Sequence, residues 1–122
     1  MSVTVLFDAP DGQWPQYDTA LRTALADAGV DADLVTNAVP QTVDYIIYAP
    51  GGQITDFTPY SKTRAVLGLW AGVEKIASNP TLTQPLARMV DTGLTEGMTE
   101  WVTGHVLRHH LGIDAQLAAQ NG

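Results

Sequence analysis

Four consecutive apolar residues, Tyr45-Ile46-Ile47-Tyr48, halted by Ala49-Pro50-Gly51-Gly52, constrain this chain more than any other feature. A run so short and so rich in β-branched and aromatic side chains reads as a strand. With no polar residue alternating along it, the strand must be buried on both faces, which is the habit of parallel sheets. Parallel neighbours cannot be joined by tight turns, so crossover segments have to lie between them. The Pro-Gly-Gly stop ends the strand abruptly.

The rest of the sequence supplies those crossovers. Residues 3–7 form a first apolar run, bounded by Asp8, Pro10, Asp11 and Gly12. Pro15 suits the first turn of a helix. Tyr17, Leu21, Ala24, Leu25 and Ala28 then recur on one helical face, and Gly29 stands where a terminating glycine belongs. Residues 32–36 read as a weak second strand, and a loop bracketed by Pro40 and Asp44 leads to the run at 45–48. The stretch 53–63 is expected to hold a short helix near its end. Residues 65–70 read as a fourth strand, 73–77 as a short helix closed by Asn79-Pro80, and 87–90 as a fifth strand. After an expected turn at Asp91-Thr92-Gly93, one face of a long helix carries Leu94, Met98, Trp101, Val102 and His105 to about His110, with Glu96 in its first turn. The residues after Gly112 continue as helix or fray. Alternating strands and helices imply an α/β fold. The expectation is a flavodoxin-like, five-stranded parallel sheet of order 2-1-3-4-5, with helices on both faces and a long C-terminal helix.

Composition narrows the function. The 122 residues fit one domain, and a chain of this length can bury roughly two thirds of its unfolded surface without staples. There is no Cys, so thiolate metal sites, disulfides and Cys nucleophiles are excluded, and a reducing cytoplasm suits the chain. Thirteen acidic against six basic residues give a charge of −7, which disfavours nucleic acid and anionic membrane as partners. No apolar run approaches the ~20 residues of a membrane span. The N-terminus lacks a basic region before its apolar run and reads as a strand, not a signal peptide.

In open parallel sheets, ligands bind beyond the carboxyl ends of the strands. The fourth run passes into Ala71-Gly72, and a short helix follows at Val73, so the amides of Ala71, Gly72 and Val73 are orphan donors suited to an anion. With no Lys or longer glycine loop after them, a small carboxylate fits better than a nucleotide phosphate. The same residues also serve as a plain tight strand-to-helix turn. Tyr48, at the end of the third strand, can hydrogen-bond or stack on a ligand, or simply pack as a core tyrosine. His105 and His109 have helical metal-pair spacing but lack the glutamate of H-E-x-x-H, so no metal site is expected. Asp91, Glu96 and Glu100 read as a turn residue and two solvated positions. The serines, Ser2, Ser61 and Ser78, lie outside any G-x-S-x-G, and no G-x-G-x-x-G or phosphate-loop motif is present. No self-contained catalytic machine is visible.

Two longer stretches carry a family resemblance. Leu69-Trp70-Ala71-Gly72-Val73-Glu74-Lys75-Ile76 resembles the G-A-G-V-D-x-I segment of D-isomer-specific 2-hydroxyacid dehydrogenases. Residues 91–102, DTGLTEGMTEWV, followed by His105-Val106-Leu107-Arg108-His109-His110, resemble the D-x-G-L-x-E-x-M-x-E-Y-V…H-V-L-x-x-H helix of the glyoxylate/hydroxypyruvate reductase A branch. Trp70, Glu74 and Trp101 depart from those patterns. The resemblance covers the whole chain and implies a substrate lobe. Residues 1–93 would form the flavodoxin-like lobe, and 94–122 a linking helix and tail. In that family the amides at Ala71, Gly72 and Val73 would grip a substrate carboxylate, Tyr48 would face a small 2-oxo or 2-hydroxy acid, and Met98 and Thr99 would lie near the nicotinamide. The family's catalytic Arg, Glu and His belong to a Rossmann domain that these residues do not include, and His105, His109 and His110 do not match that His. The implied reading is the substrate lobe of an NAD(P)-dependent reductase, inactive in isolation and holding no cofactor itself, with self-association through the last helix. The alternative is a stand-alone carboxylate-binding or interaction module.

Overall fold

In the computed structural model, which describes residues 2–121, the strand at Tyr45–Tyr48 (β3) is central. It pairs in parallel with β1 (Val3–Asp8) on one side and β4 (Ala65–Gly68) on the other. Beyond β1 lies β2 (Ala32–Val35), and beyond β4 lies β5 (Leu86–Ala87), so the sheet order is 2-1-3-4-5 throughout in parallel. This is the α/β topology that the alternating runs imply.

The two faces of β3 explain the architecture. Ile46 points into a cluster with Leu6, Val43, Phe57, Val66 and Ile76; Ile47 points the other way, into one with Val5, Phe7 and Leu34. The second cluster is covered by α1 (Trp14–Asp27) through Trp14, Tyr17, Leu21 and Leu25. Phe7 packs against the Trp14 ring at 5.0 Å between centroids, and the Arg22 guanidinium lies 5.8 Å from that ring's centroid. The first cluster is covered by α2 (Glu74–Ala77) and by the irregular segment between β3 and β4.

That segment carries no helix. Residues 53–63 run through turns held by Tyr60 N–H to Phe57 O at 3.0 Å and Thr63 N–H to Tyr60 O at 3.1 Å. Pro59 interrupts any longer helical run, and Phe57, fully buried, anchors the segment in place of helical packing. β4 ends at Gly68, two residues short of Trp70: Leu69 N–H makes the last cross-strand bond, to Tyr48 O at 2.9 Å, and β3 itself stops at Tyr48. β5 is a two-residue strand at Leu86–Ala87, not 87–90; Pro85 O still accepts from Val66 N–H as the strand begins. A 3-10 turn at Pro40–Thr42 lies in the loop before β3.

Residues 90–122 form a separate unit of helices. α3 (Thr92–His110) starts at the expected turn itself: Asp91 is its N-cap and accepts from Gly93 N–H at 3.0 Å. Glu96 therefore falls beyond the first turn. Gly112, at φ +63°, ends the first helical run, and α4 (Ile113–Gln120) follows. Arg108 pairs with Asp114 across the break. Neither helix buries a residue, and Met98, Trp101, Val102 and Val106 are all exposed. No helix among the described residues is long and apolar enough to cross a membrane.

At the other end of β3, Asp44 is buried and tied to β1. Its carboxylate accepts from Thr4 N–H at 2.9 Å and meets Lys62 Nζ at 3.1 Å. The Thr4 amide, then Lys62, hold its pKa below the ordinary aspartate value of 3.8. Asp44 therefore contributes stability above that ordinary value and loses it as pH falls through the lowered one. Asp44→Asn should lower the Tm at pH 7, and the gap to wild type should close as the buffer is taken down towards pH 2, as thermal unfolding followed by circular dichroism would read. Phe57→Ala, which leaves a cavity in the first cluster, should cost about 3–5 kcal/mol in urea unfolding.

Candidate functional site

The carboxyl ends of β1, β3 and β4 lie side by side, because Asp8 is in register with Tyr48 and Tyr48 with Gly68. Tyr48 is half-buried, with its ring against Phe57 at 6.1 Å between centroids. Burial, then the negative charge of Asp8, pushes its phenol pKa above the ordinary 10, so the hydroxyl is a neutral hydrogen-bond donor across the physiological range. Tyr60 is raised by the same two causes.

Past β4 the chain runs through Trp70, which is exposed, to Ala71, Gly72 and Val73. Val73 is the N-cap of α2 and provides no side-chain cap; its own carbonyl accepts from Ala77 N–H at 2.8 Å. Among the described residues, nothing accepts a hydrogen bond from the Ala71, Gly72 or Val73 amides. Val73 packs against the same apolar cluster as Tyr48, and Leu69 N–H donates to Tyr48 O at 2.9 Å, so the two stretches are tied together. The nearest atom to a side chain added at Gly72 is Glu74 Oε2, 3.3 Å from a Cβ there. The local charge is therefore a carboxylate beside three unpaired donors, which opposes an incoming anion while the donors favour it.

Met98 and Thr99 belong to the helical unit. Met98 is exposed, and Thr99 Oγ1 donates to Thr95 O at 2.8 Å, one turn back. On the same helix the His105 ring lies 4.3 Å from that of Trp101. No group of three or more His, Asp or Glu side chains is placed to hold a metal among the described residues.

Asp8 is the residue whose importance the sequence conceals. It is buried, and its two oxygens accept from Gln53 N–H at 2.7 Å and Ile54 N–H at 3.1 Å. In sequence it looks like a strand-end aspartate. The available signal was the paired Gly51-Gly52 after β3, which marks a close backbone approach. A cavity of about 700 Å³ opens beside Asp8, lined also by Trp14, Asn37, Gln53, Asp56 and Tyr60. It includes neither Tyr48 nor residues 71–73, and its walls carry carboxylates and no cation, so it does not suit a small acid.

The Tyr48 assignment is open to measurement. Difference absorbance titration of wild type against Tyr48→Phe should isolate one phenol that ionises above the ordinary tyrosine range near 10; a phenol ionising at or below it would contradict the buried, Asp8-facing placement.

No family model and no curated protein matches the sequence. Among solved structures, the fold is similar to that of a D-isomer specific 2-hydroxyacid dehydrogenase from Xanthobacter autotrophicus Py2, crystallised with NADPH and MES. The superposition has a TM-score of 0.74 at 23% identity and covers 99% of this chain. This chain spans only 40% of that protein's length.

Proposed function

We propose that these residues form the substrate-binding lobe of an NAD(P)H-dependent 2-oxoacid reductase of the D-2-hydroxyacid dehydrogenase family, of the glyoxylate or hydroxypyruvate type. The observation that carries this reading is the set of three unpaired amides at Ala71, Gly72 and Val73, at the strand ends of a sheet shared with a dehydrogenase that was crystallised with NADPH. In this role the amides hold the carboxylate of a small 2-oxo or 2-hydroxy acid. Tyr48 donates a hydrogen bond from the end of β3. The three donors lie on the short loop between β4 and α2, and binding there orients the acid beside the strand ends.

The cofactor belongs elsewhere. Dinucleotide folds place a glycine-rich turn after a strand so that a pyrophosphate can sit on the backbone. Here β1 ends in Asp8-Ala9-Pro10, with the Asp8 carboxylate already engaging the Gln53 and Ile54 amides. That charge and the absence of a glycine loop do not fit a pyrophosphate, so the hydride source and the proton-donating residue come from a Rossmann domain outside these residues. Met98 and Thr99 are the residues of this chain assigned to the side nearest the nicotinamide. The protein acts in the cytoplasm on this reading.

Titrating oxalate or glyoxylate into the ¹⁵N-labelled chain should move the Ala71, Gly72 and Val73 amide signals together at millimolar ligand, with no NADPH oxidation in the same samples. Unmoved signals would reject carboxylate capture, and turnover by the isolated chain would reject the division of labour. Glu74→Gln removes the competing carboxylate and should tighten oxalate binding by about two- to tenfold, as expected for one screened charge near the surface. Binding without turnover would also fit a stand-alone carboxylate module. Adding a separately produced Rossmann domain of a D-2-hydroxyacid dehydrogenase in trans separates the two, since only a lobe restores reduction.

A further inference from the structure

A buried carboxylate is costly unless hydrogen bonds replace its water. Asp8 is only 6% exposed, and its partners are main-chain amides rather than a cation: Gln53 N–H on Oδ1 and Ile54 N–H on Oδ2. The chain after β3 is folded back to reach it. Ala49 N–H donates to Asp8 O at 2.9 Å, and Gly52 N–H donates to Ala49 O at 3.1 Å. The approach needs glycine, because a Cβ at Gly52 would lie 2.4 Å from Asp8 Oδ2. Strand alternation puts Asp8 on the same face as Leu6, and its register partner Tyr48 on the same face as Ile46. Ile54 packs into that same cluster, as does Phe57, the residue against which the Tyr48 ring leans. A continuous path therefore runs from the Asp8 carboxylate through the 53–54 backbone to Ile54 and Phe57, and from there to Tyr48.

We propose that Asp8 is the positioning residue of the candidate site: by pinning the Gln53 and Ile54 amides, it fixes the wall behind the Tyr48 ring and so sets where that hydroxyl points. Asp8 does not touch the ligand in this role. Burial, and after it the Asp8 charge, raises the Tyr48 and Tyr60 phenols above their ordinary value. The consequence for ligand binding rests on the proposed function; the positioning itself does not.

The test uses the full chain, with oxalate as the probe, and three variants. Asp8→Ala removes both acceptors, Asp8→Asn keeps one carbonyl oxygen, and Gly52→Ala dislodges the carboxylate while leaving its charge in place. The Tyr48 ring signals and phenol titration, read by NMR without ligand, decide the proposal. In Asp8→Ala the ring signals should shift and the phenol should ionise nearer the ordinary range, with Asp8→Asn intermediate. In Gly52→Ala the ring signals should shift although the charge remains. Oxalate binding should weaken about three- to tenfold in Asp8→Ala, the effect of a misplaced hydrogen bond, while the Ala71–Val73 amides still respond. Should Asp8→Ala not fold, Asp8→Asn and Gly52→Ala carry the same readouts. Tyr48 ring signals identical to wild type in the folded variants would overturn the proposal. Failure of oxalate to bind even wild type would instead reject the ligand assignment and leave the ring readout to judge Asp8.

Discussion

The double-sided burial of β3 is the constraint from which the rest follows. Ile46 is fully buried on one face of the sheet, and Ile47 nearly so on the other. A strand with two apolar faces needs cover on both, and the crossovers of a parallel sheet provide it. α1 covers one face; α2 and the segment anchored by Phe57 cover the other. Because all five strands run the same way, their carboxyl ends gather at one edge, and the loops that follow β1, β3 and β4 are brought together there. The candidate site is a consequence of that topology.

Two carboxylates shape this edge in opposite ways. Asp8 is buried and satisfied, and its oxygens organise the backbone after β3. Glu74 is exposed and lies beside Gly72, where it tempers the attraction of three unpaired amides for an anion. On the proposed function, such a site suits a small, planar acid that can reach main-chain donors. It gives a bulky phosphate little, since neither a cation nor an extended glycine loop accompanies the donors.

The sheet was legible because its strands are short apolar runs closed by Gly, Pro or Asp, and because Tyr17, Leu21 and Leu25 mark a helical stripe that does pack on it. Ala71, Gly72 and Val73 were legible as free donors from a strand running into a short helix. What the sequence hid depended on tertiary contacts. Residues 53–63 hold no helix because one buried ring, Phe57, secures them. β5 begins a residue earlier than its apolar pattern suggests, since pairing with Val66 decides it. Asp91 reads as a turn residue but caps α3, a difference of geometry that composition does not encode. Asp8 was silent because its partners are amides 45 and 46 residues away.

The most direct measurement is a crystal structure of the chain grown with oxalate. Carboxyl oxygens about 2.9 Å from the nitrogens of Ala71, Gly72 and Val73, with the Glu74 side chain turned aside, are the predicted result. Oxalate bound elsewhere, or those nitrogens covered by the Glu74 carboxylate with the acid present in excess, would contradict the account.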